Sequence, residues 1–145
     1  MIVFNLTVQW MNNYPMRYKE QVMEGGAHNL RANMFVYRLA TEDPNESSAV
    51  VLQEDGDLGK YNRANRSTYH FLENCMGFLS SLPILGFIFL KPTIALVFLF
   101  CAGRILHQIG YTIKGYGGHV IGFVLALFAQ LTVIGLLIVA CTKTF

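Results

Sequence analysis

The chain has 145 residues, of which 53% are apolar and only 14% are charged, whereas soluble domains carry about 25% charged residues. The length suits one small domain, and a net charge of +2 without a basic cluster argues against nucleic-acid binding. All nine acidic residues lie at or before Glu73. The composition therefore predicts a polar first half and a second half that lies in a lipid bilayer.

Residues 1–57 are predicted to form a short apolar segment followed by a polar extension. As a helix, residues 1–11 would reach roughly 16 Å, about half the hydrocarbon thickness of a bilayer. Their alternating pattern leaves a helix, a strand and an interfacial anchor open. The extension contains turn signals and a segment, 29–39, that could form a short helix. An ordered polar segment needs a surface to lie on, which favours a partner protein.

Residues 58–145 are predicted to form the transmembrane domain, with helices at about 58–90, 93–112 and 119–141. The first of these helices is amphipathic before it becomes apolar, and a turn at Lys91-Pro92 separates it from the second. We therefore predict an all-α integral membrane protein with three full transmembrane helices and a polar N-terminal extension.

The second predicted span carries polar residues on one side. Arg104, His107, Gln108 and Tyr111 are offset by 0, 3, 4 and 7 positions, so they share one face of a helix. A charged side chain at membrane depth costs about 3 kcal/mol unless it meets a partner or a wet cavity. This face is therefore predicted to pack against another helix or to border a binding site.

The first span carries a matching polar stripe. Arg66, His70 and Glu73 lie on one face, and Glu73 stands just before the apolar run. We expect its carboxylate to neutralise Arg104, either directly as a structural ion pair or through a small polar ligand bound between them. His70 and Glu73 alone do not make a metal site, so no metal is expected.

Two segments resemble motifs of the MAPEG family, which contains the microsomal glutathione transferases and the leukotriene-forming synthases. Residues 66–74, RSTYHFLEN, resemble the arginine-to-glutamate motif of that family, and residues 103–111, GRILHQIGY, resemble its third transmembrane helix. The resemblance covers about residues 58–141. It implies a MAPEG-like helical bundle, a homotrimer, and glutathione bound between neighbouring subunits.

The resemblance also assigns roles to residues. It implies that Arg66, Glu73 and Arg104 hold the charged ends of glutathione and that Tyr111 lines the pocket. His70 stands where the family usually has asparagine, and His107 where it usually has tyrosine. The predicted ligand-binding residues are Arg66, His70, Glu73, Arg104, His107 and Tyr111.

The connection after Tyr111 departs from the family pattern. The thiol-activating arginine expected there is absent, and only Lys114 and His119 could replace it. The family's first transmembrane helix is expected to be missing or reduced to residues 1–11. These departures favour a non-catalytic protein without a cofactor.

Two functions remain open from the sequence. The favoured one is an accessory subunit of a larger membrane complex, bound to other membrane protein subunits, such as a respiratory or ATP-synthase assembly of the mitochondrial inner membrane. The alternative is a membrane-bound glutathione transferase or peroxidase that acts as a homotrimer in the endoplasmic reticulum or the outer mitochondrial membrane.

Overall fold

The computed structural model describes residues 1–24, 34–40 and 49–144. Three of its helices are long and apolar enough to cross a membrane, which confirms the predicted all-α fold with three spans. In chain order the elements are α1 (Ile2–Asn13), α2 (Met16–Glu24), β1 (Tyr37–Ala40), β2 (Ala49–Leu52), α3 (Gly56–Ile88), α4 (Leu90–Lys114) and α5 (Val120–Thr144).

The boundary between the first two spans lies earlier than predicted. Helix α3 continues through Pro83, and the chain breaks at Phe89, where φ is −128° and ψ is 57°. The turn expected at Lys91-Pro92 instead lies in the first turn of α4. The first residues of a helix have no acceptor for their N–H groups, so a proline there removes no hydrogen bond.

Helix α4 packs between α3 and α5, and small residues bring α4 and α5 very close together. A Cβ atom placed on Gly122 would overlap the backbone nitrogen of His107. One placed on Gly103 would lie 2.7 Å from the nitrogen of Ala126. Close approach through small residues is the usual way in which transmembrane helices pack.

The apolar N-terminal segment is a helix that docks on the bundle. Phe4, Thr7 and Met11 recur at helical spacing and are all buried. The Phe4 ring lies 6.1 Å from that of Phe71 and 6.4 Å from that of Phe100. Packing of this face against α3 and α4 resolves the choice that the alternating sequence left open.

The polar extension lies on the start of α3. The Asn62 side chain accepts a hydrogen bond from the Val36 backbone nitrogen at 2.9 Å and donates to the carbonyls of Val36 and Gln53. Asn65 donates to the Met34 carbonyl at 2.9 Å. The described part of the extension therefore lies on α3 of the same chain, so it does not need a partner protein as its surface.

A two-stranded antiparallel hairpin forms within the extension, with Tyr37 opposite Leu52 and Ala40 opposite Ala49. The short helix predicted over 29–39 is wrong for residues 37–39, which lie in β1. Its first five positions, 29–33, lie outside the described residues. Pairing with β2, which local sequence patterns do not reveal, decides the conformation of this segment.

Candidate functional site

A cavity of about 180 Å³ opens where α3, α4 and the start of α5 meet. It is lined by three residues of α3, two of α4, and three from the α4–α5 connection and α5: Arg66, Ser67, His70, His107, Tyr111, Tyr116, His119 and Phe123.

The backbone explains why these side chains converge. Arg66, Ser67 and His70 lie within about one helical turn, and His107 and Tyr111 are four residues apart, so each set shares a face. The connection turns back at Gly115 and Gly117, whose φ values of 69° and 90° suit glycine. This turn brings His119, at the start of α5, back to the cavity.

Three imidazole rings form the core of the site. The His70 and His107 rings are stacked with centroids 5.2 Å apart and an interplanar angle of 29°. His119 meets His107 edge-on at 5.2 Å and Tyr111 at 5.5 Å. The cavity is therefore surrounded by rings that can donate or accept a proton at one edge and pack against a ligand with a face.

Two of the imidazoles are held by buried polar side chains. The Ser67 hydroxyl lies 3.0 Å from Nδ1 of His107, and both residues are buried. Nη1 and Nη2 of Arg104 each lie 3.3 Å from Nδ1 of His70. These contacts fix the orientation of both rings relative to the cavity.

The predicted direct ion pair between Arg104 and Glu73 is wrong, and the alternative of a ligand bound between them stays a prediction. Arg104, only 2% exposed, contacts His70, and its guanidinium carbon lies 5.6 Å from the centre of the Phe71 ring. Glu73 instead pairs with Arg66 at 3.9 Å, with about half of each side chain exposed. His70 lies about one turn before Glu73, and the register of α3 against α4 places it level with Arg104.

The sequence-predicted site residues fall into two groups. Those that line the cavity are Arg66, His70, His107 and Tyr111. Glu73 lies on the outer face of α3, and Arg104 lies behind His70. Of the two candidate thiol activators, His119 lines the cavity, whereas Lys114 is exposed at the end of α4. Their roles in ligand binding stay predictions.

Gln108, on the same polar face of α4, has a structural role. Its Nε2 atom lies 3.1 Å from the Met11 carbonyl and 3.0 Å from the Thr68 hydroxyl, and the side chain is fully buried. The Thr68 hydroxyl in turn donates to the Met11 carbonyl. Part of the polar face therefore anchors α1, and only part of it borders the cavity.

Sequence reasoning missed Ser67, Tyr116 and Phe123 as lining residues. A signal was present for Ser67, which precedes His70 by three positions and so shares its face. Tyr116 and Phe123 depend on the path of the glycine-rich connection, which no periodicity predicts. Among the described residues, no group of three or more histidine, cysteine or acidic side chains is placed to hold a metal ion.

These features define an integral membrane helical bundle with a cavity lined by imidazole and other aromatic rings and one arginine. The sequence model of the MAPEG family matches residues 2–139, and the chain therefore belongs to the MAPEG family of membrane glutathione transferases and eicosanoid-forming proteins. This confirms the resemblance and extends it toward the N-terminus to include α1. No curated protein and no solved structure matches the chain.

Proposed function

We propose that this protein is a membrane-bound glutathione transferase or peroxidase and that the cavity binds the thiol end of glutathione. The observation that carries the proposal is the convergence of Arg66, Tyr111 and the imidazoles of His70, His107 and His119 around one cavity in a MAPEG chain. Two of the arguments for a non-catalytic role, the missing first helix and the need for a partner surface, no longer apply to the described residues. Helix α1 lies within the family match, and the polar extension rests on the chain's own α3.

The size of the cavity limits what it can enclose. Pockets for small molecules usually measure about 300 Å³ or more, whereas this one measures about 180 Å³. It therefore suits the cysteine portion of the tripeptide. The half-exposed Arg66 and Glu73 at its outer side would then contact the carboxylate and ammonium groups of the ligand.

Activation of the thiol is assigned to His119 rather than to Lys114. His119 lines the cavity beside His107 and Tyr111, and no described residue forms a hydrogen bond with its Nδ1 atom, so we assign the thiol proton to its imidazole. His119 also stands at the start of α5, and the positive end of a helix stabilises a thiolate. The thiolate would attack an electrophilic carbon, forming an S–C bond as the leaving group departs with its electron pair.

The outer face of α3 supports assembly into a homo-oligomer. Arg66 and Glu73 lie where the amphipathic part of α3 meets its apolar part, and both are about half exposed in the single chain. Charges at the edge of the bilayer favour a polar partner, so a neighbouring subunit is expected to cover this face. A homotrimer, which the family resemblance implies, would place a second subunit beside the cavity.

The first test is ligand-induced stabilisation of the purified protein. Glutathione at 100 times its Kd would add about 2.7 kcal/mol to the free energy of unfolding and raise the melting temperature. Arg66→Ala should abolish that rise, whereas Arg38→Ala, which removes an exposed arginine of the hairpin, should leave it unchanged. A melting temperature of the wild-type protein that does not change when glutathione is added would contradict the proposal.

The second candidate is an accessory subunit of a larger membrane complex, such as one in the mitochondrial inner membrane. It is favoured by the absence of an arginine between Tyr111 and Val120. In that case an unlike subunit would cover the charged face of α3. Native mass spectrometry after gentle extraction separates the two candidates, because a large hetero-complex supports this one and a homotrimer supports the enzyme.

A further inference from the structure

The contact between Arg104 and His70 determines where the proton of that imidazole lies. A guanidinium has only donors, so Nδ1 of His70 must accept the hydrogen bonds from Nη1 and Nη2. An imidazole whose Nδ1 accepts is neutral and carries its proton on Nε2. Arg104 therefore selects a single tautomer of His70.

The contact between Ser67 and His107 leads to the same tautomer on the second ring. A hydroxyl can donate or accept, and we assign Ser67 as the donor to Nδ1 of His107 because no other described residue accepts its proton. With Nδ1 accepting, the N–H of His107 is on Nε2. No described residue accepts a hydrogen bond from Nε2 of either His70 or His107.

We infer that His70 and His107 form a pair of neutral N–H donors that stabilises the thiolate of the ligand in the cavity. The two rings are stacked 5.2 Å apart and both line the cavity, so the proposal places both Nε2–H groups toward one sulfur. Pre-oriented donors favour a developing anion. The inference rests on the proposed binding of glutathione.

The inference divides the polar cluster into two kinds of residue. His70 and His107 would touch the sulfur, while His119 accepts the proton that the thiol loses. Arg104 would act as a positioning residue because it reaches the ligand only through His70, and Ser67 would position the His107 ring through its contact with Nδ1. This division explains why a buried arginine contacts a histidine rather than a carboxylate.

The experiment measures two properties of the full chain in detergent or nanodiscs. The ultraviolet absorbance of the thiolate reports ionisation of bound glutathione, and the affinity for S-methylglutathione reports binding without a thiol. His107→Phe should lower the thiolate fraction about tenfold, the effect of losing one hydrogen bond to an anion. The affinity for S-methylglutathione should fall by a smaller factor than the thiolate fraction, because a thioether sulfur is only a weak acceptor.

Conservative variants make the test specific for the N–H group. His107→Gln and His70→Asn each keep an N–H donor, and the asparagine oxygen can still accept from Arg104. Both should retain most of the thiolate fraction. If both variants lose the thiolate fraction as completely as His107→Phe does while they still bind S-methylglutathione, the proposed role of the two N–H donors is overturned.

Ser67→Ala tests the positioning role and decides the question if His107→Phe does not fold. Nitrogen-15 NMR of labelled histidine should show His107 leaving its single tautomer, together with a lower thiolate fraction. The matched control is Ser80→Ala, an exposed serine further along α3, which should change neither signal. If His107 keeps the same single tautomer in the Ser67→Ala variant, the inference is overturned.

The outcomes also separate this inference from the proposed function. A wild-type protein that binds neither glutathione nor S-methylglutathione overturns both. A protein that binds both ligands and ionises the thiol, but whose thiolate fraction is unchanged in His107→Phe, keeps the proposed function and overturns the donor pair.

Discussion

The two halves of the helical bundle are held together by different kinds of contact. Around the start of α3 and the end of α4, hydrogen bonds link Ser67, His107, Gln108 and Arg104 to neighbouring helices. Toward the other end, aromatic rings fill the space, with Phe78 and Phe100 stacked 4.1 Å apart. The polar half contains the cavity of the proposed site, and the aromatic half contains none of its lining residues.

This difference suggests that binding and stability are separable. Hydrogen bonds are directional, so the polar half fixes the register of α3 against α4 and the orientation of the imidazoles. Aromatic packing is less directional but contributes more contact area. Changes in the aromatic half should therefore lower stability without altering ligand binding, whereas changes in the polar half should alter ligand binding.

The largest effect is expected from Phe100→Ala. Phe100 is fully buried and packs on Phe4, Phe71 and Phe78, so its loss should lower the free energy of unfolding by about 3 kcal/mol. Chemical unfolding in mixed micelles measures this change. Glutathione should still raise the melting temperature of the variant, and a variant that folds but no longer responds to glutathione would break the separation.

The control for that variant is Phe98→Ala, which removes the same side chain from an exposed position two residues away on α4. It should have little effect on unfolding of the single bundle. A cost equal to that of Phe100→Ala would show that the outer face of α4 is packed in the assembled protein.

An intermediate effect is expected from Gly122→Ala at the contact between α4 and α5. The added methyl would meet the backbone of His107 and Gly103, so the helices must separate, at a cost of about 2 kcal/mol. Because His107 is part of this contact, the thiolate fraction should fall as well. Gly135→Ala is the matched control, since a Cβ there has nothing within 4 Å, and it should leave both properties intact.

The smallest effect on stability is expected from Glu73→Gln. The ion pair with Arg66 is half exposed, and exposed pairs contribute less than about 1 kcal/mol. Unfolding of the variant should therefore resemble that of the wild type. A loss of several kcal/mol would indicate that Glu73 neutralises the buried Arg104 after all.

The sequence predicted helix faces better than it predicted contacts between helices. The spacing of Arg104, His107 and Gln108 correctly placed all three on one face, and all three are buried. The direct partner predicted for Arg104 was wrong because His70 and Glu73 differ by less than one turn of α3. A shift of that size depends on side-chain packing between two helices, and the apolar pattern of each helix does not determine it.

The N-terminal region shows the same limit. Alternation in residues 2–10 suited a strand, yet Phe4 and Met11 make α1 a helix because they pack against α3 and α4. The hairpin of the extension depends on Asn62, which binds the backbone of Val36 and Gln53 from within α3. Contacts of this kind join distant parts of the chain and leave no periodic signal.

The most direct test of the account is histidine NMR of the wild-type protein during a titration with glutathione. The imidazole signals of His70, His107 and His119, assigned with single substitutions, should shift together and saturate at one Kd, because all three rings line the cavity. Signals of these three histidines that stay unchanged while glutathione reaches saturating concentrations would contradict binding in this cavity.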